Sequence, residues 1–231
     1  MTRRFSDQDG FTLPELMMAL AIGTIVMLAS LSVLDGATRR NDAIQRRSGG
    51  IIEGRRAMDE MVRTLRSQVC VRPNENTLLY SVAAATGTSV TLYADFSDGT
   101  SLPRKHTISL ATNGNLTDAE VPAVGTAANF AYTGTQTTRT IAQRIAETGT
   151  APLFQYFAFN TATPATPTQA LNSVASPTVA AADIPRIARI VVTLQAKPEG
   201  IANAKLNTTV QDEVFVRLAD PDDAAPSPKC A

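Results

Sequence analysis

The chain of 231 residues carries 21 basic and 21 acidic side chains, one histidine, two cysteines and no tryptophan. This length accommodates an N-terminal helix followed by one domain of about 160 residues with its own hydrophobic core. The balanced charge does not favour nucleic-acid binding, and a lone histidine, His106, does not favour a catalytic triad or a histidine-based metal site, so we expect neither enzyme activity nor a cofactor.

A short polar leader, Met1 to Gly10, precedes the most informative segment. The motif Gly10-Phe11-Thr12-Leu13-Pro14-Glu15 leads into nineteen residues without a charge, Leu16 to Leu34. As a helix this run would rise about 28 Å, close to the hydrocarbon thickness of a bilayer, about 30 Å. Pro14 suits a first helical turn, where its missing N–H needs no partner. A carboxylate such as Glu15 is costly beside lipid, so we expect it to have a partner and a function.

The leader, the motif and the apolar run together closely resemble the class III signal of type IV pilins and type II secretion pseudopilins. The resemblance implies that a prepilin peptidase cleaves between Gly10 and Phe11 and methylates the new amine of Phe11. It also implies that Glu15, fifth in the mature chain, meets the Phe11 amine of a neighbouring subunit during assembly. The implied partners are the prepilin peptidase, other pilin or pseudopilin subunits, an inner-membrane assembly platform and membrane lipid, with no nucleic acid expected.

Two other interpretations of this segment remain open. An ordinary secretory signal peptide has an apolar core of about 7–15 residues that ends in a small-x-small cleavage site. This core is longer, and Ser30-Leu31-Ser32 is its one passable site. A plain single-pass anchor fits the length but leaves Gly10, Phe11 and Glu15 without a role. Basic residues lie on both sides of the run, but long domains are exported largely regardless of charge, so we expect an extracytoplasmic C-terminal domain on an inner-membrane anchor.

From Asp35 to Val69 the sequence continues with helical periodicity. Apolar residues at steps of three or four predict one buried stripe, formed by Ile51, Met58, Met61 or Val62, Leu65 and Val69. Glycines between Gly49 and Gly54 weaken the helix, and the sequence leaves open whether it kinks or melts locally there.

The opposite face of this helix is charged. Asp59 and Glu60 are spaced for ion pairs with arginines three or four residues later. The face either meets neighbouring subunits in a fibre or is simply solvated; its members are Arg55, Arg56, Asp59, Glu60, Arg63 and Arg66.

The rest of the chain has the pattern of a β-rich domain. Arg72-Pro73-Asn74 predicts the end of the helix, because the residue before a proline avoids the α region. Asp98-Gly99 and Asn113-Gly114 predict tight turns. Alternating apolar and polar residues predict six strands: Thr77 to Val82, Ser89 to Ala94, Lys105 to Leu110, Leu153 to Phe159, Ile187 to Gln195 and Thr209 to Leu218.

We therefore predict an α+β fold, in which a long N-terminal helix, membrane-spanning in its first half and amphipathic in its second, packs on an antiparallel β-sheet head domain. The predicted parts are a cleaved leader (1–10), a transmembrane or fibre-core helix (11–34), its amphipathic continuation (35–70) and an extracytoplasmic head (71–231). Within the head, an irregular loop (161–185) and a C-terminal tail (220–231) are expected from their composition.

Outside the N-terminal motif the candidate sites are few. Cys70 and Cys230 can form a disulfide in an extracytoplasmic compartment, or either thiol can be free or buried. Asp95 and Asp98 flank a turn that could hold calcium, but such carboxylates more often bind local backbone N–H groups, so no metal is expected. His106 is expected at the surface or on an edge strand.

The order of elements most resembles the larger minor pilins and the J-type pseudopilin, and Ser32 stands where many major pilins have proline. The resemblance implies a minor pilin or pseudopilin, a structural subunit incorporated through its N-terminal helix into a type IV pilus or a type II secretion pseudopilus. The alternative is a membrane-anchored exported adhesin or binding module, whose head captures DNA, a surface or a secretion substrate.

Overall fold

A computed structural model describes residues 12–97, 101–160, 166–200 and 207–216. The chain divides into two compact units, Met1–Gln45 and Arg46–Ala231, and we call the second one the globular unit. Helix α1, Leu13–Arg66, precedes a series of β-strands, which confirms the predicted α+β class. In chain order the strands are β1 Val71–Asn74, β2 Thr77–Leu79, β3 Val82–Ala85, β4 Ser89–Ala94, β5 Arg104–Leu110, β6 Leu116–Val121, β7 Val124–Thr126, β8 Asn129–Ala131, β9 Thr137–Ala142, β10 Ile145–Ala146, β11 Phe154–Ala158, β12 Gln169–Ala170, β13 Arg189–Ala196 and β14 Thr208–Phe215.

Helix α1 ends at Arg66, earlier than the sequence pattern predicts, because the chain switches to strand-type pairing. Gln68 forms a β-bridge with Ala94, and the Val69 N–H donates to the carbonyl of Tyr93 at 2.9 Å. The Ser67 hydroxyl donates to the Arg63 carbonyl at 2.8 Å and so satisfies part of the exposed helix end. The predicted stop at residues 72–74 is wrong, since these residues lie in β1.

The glycines of α1 permit close packing, and the helix runs without a break across Gly49 and Gly54. Gly50 and Gly54 are buried. A Cβ added to Gly54 would lie 2.9 Å from the Cβ of Ala196, and one added to Gly50 would lie 3.5 Å from Cα of Pro198. These positions therefore let the end of β13 approach the helix backbone, which offsets their low helix propensity.

Two antiparallel sheets of five strands form the body of the globular unit. One has the order β3-β4-β5-β6-β9, which places β5 in its centre. In the other, β14 pairs with the whole length of β13, from Arg189 to Ala196, so β10 and β11 share the opposite edge of β13. Strand β12 then pairs with β11 at the outside.

The main hydrophobic core joins the buried stripe of α1 to both sheets. The stripe contributes Met58, Met61, Val62 and Leu65, as predicted, whereas Ile51 is half-buried and Val69 follows the helix. The sheets contribute large buried side chains, among them Leu92, Ile108, Leu116, Phe154, Tyr156, Ile190 and Leu194. Burial of these apolar side chains, worth about 25 cal/mol per Å², holds the helix on the sheets.

The predicted strands lie where the structure has strands, but their first and last residues do not all agree. The strand Ser89–Ala94 is confirmed, and the other predicted strands overlap observed ones. The predicted strand 77–82 is divided between β2 and β3. The turn at Asn113-Gly114 is confirmed: Asn113 Oδ1 accepts from the N–H of Asn115 at 3.0 Å, and Gly114 has a φ of +82°. The Asp98-Gly99 turn and the tail 220–231 lie outside the described residues.

The predicted irregular loop 161–185 is ordered in its described part. Strand β12 falls within it, and Thr178 forms a β-bridge with Thr86 of the neighbouring sheet. Asn172 is buried: its side chain accepts from the Tyr156 N–H at 2.9 Å and donates to the Phe154 carbonyl at 2.9 Å. The buried amide thus satisfies one backbone N–H and one backbone carbonyl of β11 in place of a neighbouring strand.

Candidate assembly helix and a buried charge network

The described part of the N-terminal motif begins at Thr12. The Leu16 N–H donates to the Thr12 carbonyl at 3.1 Å, and Pro14 lies in the first helical turn, as predicted. Glu15 is exposed in the same turn, where the partial positive charge of a helix N-terminus favours a carboxylate. Gly10 and Phe11, the predicted processing residues, lie outside the described residues.

The part of α1 within the first unit exposes its apolar side chains on all sides. Every described residue from Thr12 to Gln45 is exposed, including Leu16, Ile25 and Leu31. Among the described residues, α1 is the helix long and apolar enough to cross a membrane. An apolar surface of this size is stable only when lipid or other apolar helices cover it.

Hydroxyl groups within the apolar run are satisfied by the helix itself. Thr24 Oγ1 donates to the Ala21 carbonyl at 2.8 Å, and Ser30 Oγ donates to the Val26 carbonyl at 2.9 Å. A buried hydroxyl without a partner would cost free energy in lipid, and these bonds remove that cost. The two residues are therefore compatible with a hydrocarbon environment.

A second group of polar residues lies inside the globular unit and was not predicted. His106 was expected at the surface or on an edge strand, but β5 is flanked by β4 and β6 and the residue is 3% exposed. Its Nδ1 lies 3.1 and 3.2 Å from the two carboxylate oxygens of Asp118 on β6. The prediction is wrong because β5 alternates in burial, and His106 shares the inward side with Ile108.

Arg139 extends this contact to the helix. Its Nη2 donates to Asp118 Oδ2 at 3.1 Å and to Glu60 Oε1 of α1 at 2.5 Å. We call these four residues, Glu60, Arg139, Asp118 and His106, the charge network. Asp118 lies opposite Arg139 in the pairing of β6 with β9, so the sheet register itself aligns the two side chains.

The electrostatic environment of Asp118 favours its ionised form. Burial by itself raises the pKa of this carboxyl group, but the hydrogen bonds and charges of His106 and Arg139 outweigh burial, so its pKa lies below the usual value. A carboxylate that is 1% exposed is thus stabilised by its partners and depends on them.

Glu53, which precedes Glu60 in α1, makes similar contacts. Its Oε1 accepts from the Gln143 backbone N–H at 2.8 Å, and its Oε2 accepts from Arg144 at 2.7 Å. Glu53 and Glu60 are seven residues apart and so lie on one face of α1. The acidic side chains of this face therefore bind β9 and the residues that follow it, and Glu60 pairs with Arg139 rather than with an arginine of the helix as predicted.

Residues 5–31 match the family model of the prokaryotic N-terminal methylation motif. The N-terminal segment of this chain is type IV pilin-like. The motif and the long apolar helix agree in position, since the match ends within the exposed part of α1. Comparison with curated proteins and with solved structures gave no match. The pilin-like motif points to a structural subunit rather than to an enzyme.

The remaining candidate residues of the chain have simple surroundings. Asp95 Oδ1 accepts from the Ser97 N–H at 2.8 Å and from the Ser97 hydroxyl at 2.6 Å, which is the local turn bonding expected as the alternative to calcium. Asp98 lies outside the described residues. Cys70 is half-buried just after α1 and is not a free thiol, while Cys230 lies outside the described residues, so their pairing stays a prediction.

Proposed function

We propose that this chain is a minor pilin or pseudopilin, a structural subunit of a type IV pilus or a type II secretion pseudopilus. The observation that carries the proposal is the methylation motif at residues 5–31, which leads into a helix that is apolar and exposed from Leu16 to Leu34 and has Glu15 in its first turn. A secreted or simply anchored protein would need neither this motif nor a carboxylate at that position.

Processing in this proposal follows the family pattern. Prepilin peptidase removes residues 1–10 and methylates the amine of Phe11. Before assembly, the helix anchors the subunit in the inner membrane as a single span, with the β-rich part outside the cytoplasm. During assembly, the apolar surface moves from lipid to a bundle of the same helices from other subunits, guided by the assembly platform.

Glu15 has a specific role in this transfer. Its carboxylate pairs with the methylated amine of Phe11 in a neighbouring subunit, so that neither charge remains unpaired among apolar helices. The pair fixes the axial position of one helix against the next. Apolar contact provides most of the association free energy, and the charge pair provides the register.

The direct test is the intact mass and N-terminal sequence of the protein isolated from membranes, with and without a co-expressed prepilin peptidase. The proposal expects a chain that starts at N-methylated Phe11 only when the peptidase is present. An unprocessed Met1 in the presence of an active peptidase, or cleavage near Ser32, would contradict it. Gly10→Leu, which changes only the residue before the cleavage site, should prevent processing and serves as the matched control.

A further inference from the structure

A cavity of about 370 Å³ opens beside the charge network in the globular unit. The residues that line it include the apolar Phe96 and Leu102 and the basic Arg63 and Arg104. His106 also lines it. Cavities that combine apolar walls with a few convergent polar groups are the usual form of small ligand sites.

The ring of His106 has one nitrogen in use and one without a partner. Nδ1 contacts Asp118, whereas Nε2 is buried and has no hydrogen-bond partner within the described residues. A buried polar atom without a partner costs free energy, so native structures rarely contain one unless water, an ion or a ligand supplies the bond. This nitrogen is therefore a place where a ligand atom would be accommodated.

Arg63 is the positive charge of this cavity that lacks a carboxylate. Arg104 pairs with Glu120, and Arg139 belongs to the charge network. No ion pair of Arg63 occurs in residues 12–97, 101–160, 166–200 and 207–216. Its guanidinium carbon lies 5.8 Å from the centre of the Phe96 ring, and the His106 ring centre lies 5.7 Å from the same point. An unpaired cation and an unpaired ring nitrogen thus lie beside the same phenyl ring.

From this arrangement we propose that the cavity binds a carboxylate attached to an apolar group. The carboxylate lies between the Arg63 guanidinium and Nε2 of His106, and the apolar group packs on Phe96 and Leu102. The same chemistry is offered by a free organic acid and by an acidic residue next to an apolar one in a partner peptide. The proposal does not depend on pilin-type processing, because every group in it belongs to the globular unit.

Protonation of His106 strengthens this binding. Since Nδ1–H donates to Asp118, the neutral ring presents a lone pair at Nε2, which repels a carboxylate, whereas the protonated ring presents an N–H. The charged groups around the ring are Asp118 and Glu120 on β6, Arg104 on β5, Arg139 on β9, and Glu60 and Arg63 on α1. A lower pH favours the protonated ring, so binding should be tighter at the lower of two pH values at which the ligand carboxylate is ionised.

The single histidine of the chain allows a direct experiment. Full-length protein in detergent, labelled with ¹³C at histidine and carrying no histidine tag, gives one imidazole signal to follow by NMR. Phenylacetate is the free-acid probe and acetyl-Phe-Glu-amide the peptide probe. Phenylacetamide and acetyl-Phe-Gln-amide, which lack the carboxylate, are their matched controls.

We expect saturable shifts of the His106 signal with both acids, larger near pH 6 than near pH 8, and none with the two amides. Arg63→Gln should weaken binding about tenfold because a charge-assisted hydrogen bond is lost. Arg66→Gln removes another exposed arginine of α1 that does not line the cavity, and it should leave binding unchanged. Tighter binding of the peptide would identify a protein partner, and tighter binding of phenylacetate a free acid.

Three results would overturn the proposal. The first is the absence of a saturable shift with either acid at both pH values. The second is an equal response to the acids and their amides, which would show that the carboxylate is not recognised. The third is unchanged binding in Arg63→Gln with the His106 signal of that variant at its native position, which would exclude Arg63 from the site in a folded protein.

Discussion

Glu60 of α1 and Arg139 of β9, 79 residues apart in the chain, meet at 2.5 Å. The same guanidinium contacts the buried Asp118 on the adjacent strand, which in turn contacts His106. The charge network thus reaches from the helix across the edge of a sheet to its central strand. It ties α1 to the sheet at the point where the edge strand β9 has few buried side chains of its own.

Replacing Arg139 with methionine should destabilise the globular unit by about 2 kcal/mol. Removing one partner of a buried charge typically costs about 3–5 kcal/mol, and the loss here is smaller because Arg139 is half-exposed and His106 still contacts Asp118. Urea unfolding of the full chain in detergent measures the change. Arg186→Met, which breaks an exposed pair with Asp183, should change the free energy of unfolding by less than about 0.5 kcal/mol. Equal effects of the two substitutions would contradict this role of the network.

The low pKa of Asp118 predicts a loss of stability in acid. Because the folded protein holds this carboxyl group ionised below the pKa of about 3.9 of an unfolded chain, its stabilisation is present above about pH 4 and is lost as the pH falls through the folded value. Asp118→Asn should be less stable at neutral pH and should lose less stability between about pH 4 and 2. Urea unfolding at a series of pH values tests this, with Asp183→Asn, a change at a partly exposed carboxylate, as the control. A parallel pH dependence of wild type and Asp118→Asn would refute it.

Two glycines of α1 should respond to alanine in opposite directions. Gly49 is exposed with no atom within 4 Å of an added Cβ, so Gly49→Ala should stabilise the helix by about 0.5–1 kcal/mol. At Gly54 an added Cβ would lie 2.9 Å from Ala196, so the gain in helix propensity is outweighed and Gly54→Ala should destabilise by about 1–2 kcal/mol. Thermal unfolding of the two variants side by side measures both. If Gly54→Ala were as stable as Gly49→Ala, the close approach of β13 to the helix would be wrong.

Glu15→Ala should leave the protein in the membrane and correctly cleaved but should strongly reduce its incorporation into fibres. The apolar surface of the helix is unchanged, whereas the proposed partner of the Phe11 amine is missing. Counting the subunit in sheared fibres and in membranes measures the two effects separately. Asp35→Ala is the matched control, because it removes an acidic side chain of the same helix that pairs with the exposed Arg39. Normal incorporation of Glu15→Ala would exclude the proposed register mechanism.

Loss of the predicted Cys70–Cys230 disulfide should destabilise the globular unit substantially. Closure of so long a loop is worth about 4–5 kcal/mol on the chain-entropy model. Cys70→Ser and Cys230→Ser should each lower the free energy of unfolding to the same extent, and the double variant should lower it no further. Thiol labelling of denatured, non-reduced protein gives an independent check: two reactive thiols per chain would disprove the bond.

The helix and its buried stripe could be predicted because their signals are local. Met58, Met61 and Leu65 repeat with the period of a helix, and their burial follows from that period alone. The N-terminal motif is likewise contiguous. By contrast, β6 and β9 were not predicted, because Leu116–Val121 and Thr137–Ala142 contain charged residues and threonines and β9 is mostly exposed. Their pairing partners lie elsewhere in the chain, and no local pattern reports them.

The charge network could not be predicted from the sequence for the same reason. Its contacts depend on the register between β5, β6 and β9 and on the position of α1. No local sequence pattern indicates either of them. One signal was present. His106 and Ile108 are two residues apart in β5, so their side chains lie on the same side of the strand, and burial of one implied burial of the other. The neighbouring charged residues Arg104 and Lys105 indicated an exposed strand instead, so the burial of His106 was not predicted.

The hydroxyl groups of Thr24 and Ser30, each bonded to a carbonyl of its own helix, carry one more consequence. Such a helix can turn about its axis among apolar neighbours without breaking either bond. The rotation of the helix about its own axis in a bundle would then depend on the shape of its side chains rather than on polar contacts of these two residues. Subunits that differ in head sequence could share one bundle, as long as their apolar surfaces have similar contours.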